Sequence, residues 1–224
     1  MKNIIIQGFA SNEFLFEKIK KNIPNCIVLK NEQFSYKEAK YSLDYYSTEG
    51  KINIFGWSLG SLFALKWTLE NPSKVNSLFL TGATARFTQT NEYENGILLE
   101  NLLRMKRMIK IRTKQVLTDF YKNIFEFVEN KEQIINSLLE TTISDQSLEN
   151  GLSELIEIDL LKQLSDIKVK TAIFQGARDN TTPLYGAEII RNKIKNSTLK
   201  VYNGGHCYFL EYPDECIENW RNFI

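Results

Sequence analysis

The sequence predicts an α/β fold, a mostly parallel sheet with helices on both faces, and three observations carry that expectation. Short β-type runs alternate with helix-like segments along most of the chain. The runs are almost continuously apolar, as strands covered on both faces need to be. The composition, 43% hydrophobic and 25% charged over 224 residues, is that of an ordinary globular protein. This length favours one domain, with room for an inserted subdomain.

Ile4-Ile5-Ile6 reads as the first strand, broken by Gln7-Gly8-Phe9-Ala10-Ser11. Phe14, Phe16, Ile19 and Ile23 then recur at helical spacing until Pro24. Cys26 to Leu29 is a second short strand, and residues 35 to 48 are helix-like, closed by Glu49-Gly50. Lys51 to Phe55 is a third strand breaking at Gly56, followed by a helix from Ser61 to Glu70 that Asn71-Pro72 ends. Val75 to Leu80 is the fourth. Residues 86–160 are charged, poor in glycine and periodic at helical spacing, so an all-helical insertion is expected there, splitting a core of residues 1–85 and 161–224. Thr171 to Gly176 and Leu199 to Tyr202 resume the strands.

Composition excludes several classes. The net charge of +1 argues against a nucleic-acid binder. The first residues lack the apolar run of a signal peptide, and no stretch approaches the roughly 20 apolar residues of a membrane span. Cys26, Cys207 and Cys216 are odd in number and widely spaced, which reads as free thiols, with the cytoplasm as the default location. One histidine and scattered cysteines assemble no metal site, and no phosphate-cradling glycine motif is present, so no cofactor or metal is expected. A monomer is the simplest state.

The strongest local signal is Gly56-Trp57-Ser58-Leu59-Gly60, set between a strand and a helix. A serine on a sharp strand-to-helix turn needs small neighbours, because the two elements approach closely there. It also faces a helix N-terminus, whose free N–H groups favour developing negative charge. Serine needs a base, and His206, in Gly204-Gly205-His206 after the last strand, is the one histidine available. Asp179, just past the penultimate β-run at Gly176-Ala177-Arg178-Asp179, is preferred as the orienting acid over Asp159 and Asp166, since sites in open α/β sheets lie at the carboxyl ends of strands. The backbone N–H groups of Leu59 and Phe9 are the expected oxyanion donors. Trp57 either packs or lines an acyl pocket.

These residues resemble the pimeloyl-[acyl-carrier protein] methyl ester esterases of biotin synthesis, within the α/β hydrolases. The likeness runs from Ile52 onward, through the serine pentapeptide, Asp119-Phe120 and Phe127, Asn150-Gly151-Leu152, Ile158-Asp159-Leu160, Gly204-Gly205-His206 and Pro213. It implies a helical cap over the serine, Phe127 as an aromatic of the acyl channel, and basic cap residues that engage an acidic carrier protein. Two departures stand out. The chain begins at what looks like the third strand of the usual sheet, so the first hairpin is expected to be missing, and Gln7-Gly8 replaces the usual His-Gly of the oxyanion loop.

Charge in the cap points to a partner independently. Between Asn101 and Thr118 stand Arg104, Lys106, Arg107, Lys110, Arg112 and Lys114, with no acidic residue. On a straight helix Lys106, Arg107, Lys110 and Lys114 share one face, and Leu98, Leu102, Met105, Ile109 and Val116 share another. An exposed stripe of one sign steers an acidic partner, and a solvated face is its alternative. The expected function is therefore hydrolysis of an acyl methyl ester on a carrier protein. The rivals are a small-acyl carboxylesterase, a lyase on the same scaffold, and a non-catalytic binding module.

Overall fold

The computed structural model describes residues 1–224. Strands β1 (Lys2–Ile6) and β2 (Cys26–Val28) flank helix α1 (Glu17–Asn22), and α2 (Tyr36–Tyr46) leads to β3 (Ile52–Trp57), α3 (Leu59–Glu70) and β4 (Val75–Thr81). Helices α4 (Leu99–Ile124), α5 (Lys131–Glu140) and α6 (Asp145–Glu157) follow. The chain returns through β5 (Lys170–Gly176), α7 (Leu184–Lys193), β6 (Ser197–Tyr202), α8 (Tyr208–Glu211) and α9 (Pro213–Phe223). All six strands pair in parallel, in the order β2-β1-β3-β4-β5-β6.

Period-2 alternation sends one set of strand side chains to each face. Phe55, Phe79 and Phe174 stack across three neighbouring strands, with ring centroids 5.2 and 4.7 Å apart, and Trp220 of α9 covers the first two. Each such side chain withdrawn from water contributes roughly 1.5–3 kcal/mol. α3 is apolar around its whole circumference, because it is buried between the sheet and α2, with Leu62, Phe63, Leu65 and Trp67 all fully covered. Buried amides meet one another: Asn53 donates to Asn3, and its own oxygen accepts from Asn76 and Ser77. No helix is long and apolar enough to cross a membrane.

Three local expectations change. The helix-like stretch 35–48 closes at Ser47, before Gly50. The amphipathic segment after β1 divides into a 3-10 turn, Glu13–Phe16, and α1. The segment from residue 86 is not helical from its start: it forms isolated β-bridges, Arg86 with Asp159, Thr88 with Ile97 and Thr90 with Tyr93, before α4 begins at Leu99. Arg86 and Asp159 also pair as an ion pair, so the β4 exit is laced to the chain that returns from α6.

Candidate active site

The strand order reverses direction between β1 and β3, and in open α/β sheets the crevice at such a switch point, beyond the carboxyl ends of the strands, is where ligands bind. Ser58 follows β3 there and the Gln7–Ser11 loop follows β1. Ser58 adopts φ 56° and ψ −121°, a conformation costly for any L residue and stored where a side chain must be presented. The turn is possible because Gly60 lies so close to β1 that a Cβ would stand 2.1 Å from the Ile6 carbonyl oxygen.

His206 and Ser58 both border the end of β4. The Ser58 N–H donates to the Thr81 carbonyl, and a Cβ at the next residue, Gly82, would stand 2.8 Å from His206 Cε1. With φ +52°, Gly82 suits glycine on both counts, and the imidazole lies close against it. His206 Nδ1–H donates to Asp179 Oδ2 at 2.8 Å, while Nε2 has no partner in the protein. That pairing favours the tautomer with a free lone pair on Nε2, the form a general base needs. The Ser58 hydroxyl, in a residue 8% exposed, makes no hydrogen bond at rest, as in many unliganded sites whose contacts close only around substrate.

Asp179 is the carboxylate that meets the histidine. Its Oδ1 accepts from the Thr181 and Thr182 N–H groups at 2.8 and 2.9 Å, and Oδ2 accepts from Thr182 Oγ1 and Gln175 Nε2, both at 2.8 Å, besides His206. Burial pushes its pKa up, but the charge and hydrogen bond of His206 and the two bonds from Thr182 outweigh it, so the carboxyl lies below its ordinary value. Asp159 is tied to Arg86 and Asp166 is exposed on a 3-10 turn, so neither reaches the histidine.

The Phe9 N–H donates no hydrogen bond, and Leu59 opens α3, where the first N–H groups have no intrahelical acceptor. These are the two expected oxyanion donors. The loop carrying Phe9 is braced from within and from the cap. Ser11 Oγ donates to the Gly8 carbonyl at 2.8 Å, and Tyr121 Oη of α4 donates to the Ala10 carbonyl at 2.7 Å, where Ala10 has φ 52°. Gln7 is nearly buried, with its Oε1 3.4 Å from the Ser11 hydroxyl. The same end of α4 reaches the other loops, through Asn123 to Thr181 and the Ile124 carbonyl to the Cys207 thiol. Tyr121→Phe is expected to keep the fold at a cost of about 1 kcal/mol. It should lower kcat several-fold more than it changes KM, in paired thermal-unfolding and ester-hydrolysis measurements.

Other expectations are corrected by the packing. Trp57 is 1% exposed, packs on Phe16 and Phe209, and donates from Nε1 to the His206 carbonyl at 3.0 Å. It packs in the core and holds the histidine loop. Phe127 is half-buried beside that loop, with the Arg178 guanidinium 3.9 Å above its ring. α4 is not the straight helix that spacing assumes: it kinks at Arg112, φ −145° and ψ 47°, where the Thr113 hydroxyl donates to the Ile109 carbonyl, so Lys114 lies beyond the kink from Lys106, Arg107 and Lys110. Leu98, placed with the buried stripe, is 55% exposed. Lys106 donates to Ser153 Oγ at 2.7 Å and Lys110 pairs with Glu149 at 3.1 Å, so both are turned toward α6. Arg107 and Lys114 are exposed and form no ion pair, as do Arg104 and Arg112. The last two edge an open groove of about 460 Å³ floored by Met105, Met108, Val116 and Phe120. Phe120 meets Phe9 edge to face at 5.4 Å, which connects the groove to the oxyanion loop.

No three His, Cys, Asp or Glu side chains stand close enough together to ligate a metal ion. Sequence reading also missed Gln175, Thr182 and Tyr121. Gln175 alone left a trace, as a polar residue directly after the apolar run Ala172-Ile173-Phe174.

Comparison with known proteins bears on the same features. A pimeloyl-[acyl-carrier protein] methyl ester esterase of Neisseria meningitidis serogroup C is 27% identical, over all of this chain and 93% of that protein. The AB hydrolase superfamily protein YisY of Bacillus subtilis is 30% identical over 71% of this chain and 61% of its own length. The solved structure of an esterase from Exiguobacterium antarcticum superposes with a TM-score of 0.88, at 22% identity, over all of this chain and 91% of that one. The family described as alpha/beta hydrolase fold matches residues 46–213, and with its parallel sheet and switch-point serine the chain belongs to that family.

Proposed function

We propose that this protein is a serine esterase that hydrolyses the methyl ester of a pimeloyl-type acyl chain carried on acyl-carrier protein. The observation that carries the reaction class is the His206–Asp179 pair, with Nε2 unpartnered, beside a serine on a strained turn. Ser58 Oγ attacks the ester carbonyl while His206 Nε2 takes its proton, and the carbonyl oxygen becomes an anion received by the Phe9 and Leu59 N–H groups. Collapse breaks the ester C–O bond, and methanol leaves with the proton from His206. Water, deprotonated by the same nitrogen, then releases the free acid and restores Ser58.

The carrier substrate is supported by the likeness to the Neisseria relative and by the groove of α4, whose floor suits an acyl chain and whose rim carries Arg104 and Arg112 against the one carboxylate of Asp119. In this reading residues 86–160 form the cap, Phe127 borders the channel, and the steering charge sits on Arg104, Arg107, Arg112 and Lys114. Lys106 and Lys110 contribute less because α6 neutralises or occupies them. That partial neutralisation is also what favours the second reading, a small-acyl carboxylesterase without a protein partner.

Reversing Arg104, Arg107, Arg112 and Lys114 to glutamate separates the two. On an acyl-carrier-protein methyl ester, kcat/KM is expected to fall roughly 10-fold or more, with the wild-type advantage shrinking as salt rises. Turnover of a small neutral ester should stay within about twofold. Equal loss on both substrates, or loss on neither, leaves the carboxylesterase reading.

A further inference from the structure

Gln175 is a glutamine with no exposed surface, in the middle of the sheet, where a primary amide is tolerated only if every polar atom is partnered. Each one is. Its Nε2 group donates to Asp179 Oδ2 at 2.8 Å and to the Thr182 carbonyl at 2.6 Å, and its Oε1 accepts from the Ala83 N–H at 3.0 Å. Two acceptors on one side and a donor on the other fix the amide's orientation without ambiguity.

Those three partners surround the imidazole. Asp179 is the carboxylate on Nδ1, Thr182 Oγ1 lies 3.2 Å from the same nitrogen, and Ala83 follows the Gly82 backbone against which the ring lies. One side chain of β5 therefore ties together both walls of the slot that holds His206. We propose that Gln175 is a positioning residue for the acid–base pair: its neutral N–H holds Asp179 Oδ2 on His206 Nδ1 and its carbonyl holds the Gly82–Ala83 turn against the ring. The assignment rests on the esterase reading for its effect on turnover, but not for its effect on the histidine.

The remaining titratable groups around the pair do not confuse that effect. Glu211 of α8 accepts from the Gly205 and Cys207 N–H groups, while burial raises the pKa of the Tyr202 hydroxyl and of the Cys207 thiol and keeps both neutral. Arg178 is exposed over Phe127. None of them touches Gln175.

Because the chain has one histidine, its ring proton signal can be titrated by NMR without ambiguity. Two variants are compared with wild type. Gln175→Met keeps length and removes the donor without adding charge. Gln175→Glu keeps the acceptor for Ala83, but once ionised it sets a second negative charge against Asp179. In Gln175→Met, kcat is expected to fall by about 10- to 100-fold with KM within twofold, as misplacement without lost substrate contacts should produce. The His206 midpoint should shift, upward if Asp179 stays with one donor fewer and downward if it swings off Nδ1. In Gln175→Glu the midpoint should rise, and the pH–rate profile should gain a falling alkaline limb that wild type lacks. Unmoved midpoints in folded variants, or activity lost only in step with the folded fraction, overturn the assignment. If Gln175→Met does not fold, Gln175→Glu decides by its midpoint and alkaline limb. The titration needs no substrate, so an inactive wild type would sink the esterase reading and leave this test standing.

Discussion

Ser58→Ala is expected to leave the fold unchanged and to lower ester turnover by about 10⁴- to 10⁶-fold. The alanine accepts the same backbone turn, since the close approach that shapes it is made by Gly60. What is lost is the hydroxyl that the proposed reaction uses to attack the carbonyl. His206→Ala should be nearly as severe, and the double variant little worse than either single one, because nucleophile and base act as a unit. Wild-type activity should fall as pH is lowered from about 8 to about 5, since a protonated imidazole accepts no proton. Steady-state rates on a chromogenic ester check all three, with circular dichroism to confirm folding. Additive losses in the double variant, or a flat pH profile, would remove the triad.

Asp179→Asn should cost about 10⁴-fold in kcat, through orientation and tautomer. The structure adds a second penalty. The carboxylate receives five donors, two on Oδ1 and three on Oδ2. An asparagine can present oxygen to one set only, so whichever way it flips, an NH₂ group faces N–H or O–H groups in a buried site. Each donor left unpaired costs roughly 1–3 kcal/mol. The variant should be less stable at neutral pH and also less acid-sensitive. Because the folded carboxyl lies below its ordinary value, it stabilises wild type above the unfolded value near 4, and that contribution is lost as pH falls through the folded value. Denaturant titrations of both proteins at neutral and acid pH test this: the gap between them should narrow as pH drops. A constant gap would contradict the depressed carboxyl.

What the sequence determined by itself is local in origin. Alternating apolar runs and helical segments are enough to specify a covered parallel sheet, and the strand-turn-helix setting of Gly56 to Gly60 is enough to single out Ser58. Having one histidine left no choice of base. For the carboxylate, position past a strand end favoured Asp179 over Asp159 and Asp166, and the structure adds that the Thr181–Thr182 turn fixes Asp179 on His206. Tertiary structure alone decided the rest, because the groups concerned meet across long stretches of chain. Tyr121 reaches Ala10 over 111 residues and Gln175 reaches Ala83 over 92. The basic face of α4 also depends on tertiary structure. Helical periodicity assumes a straight rod, whereas α4 kinks at Arg112, and α6 supplies Ser153 to Lys106 and Glu149 to Lys110, partners that spacing alone does not show.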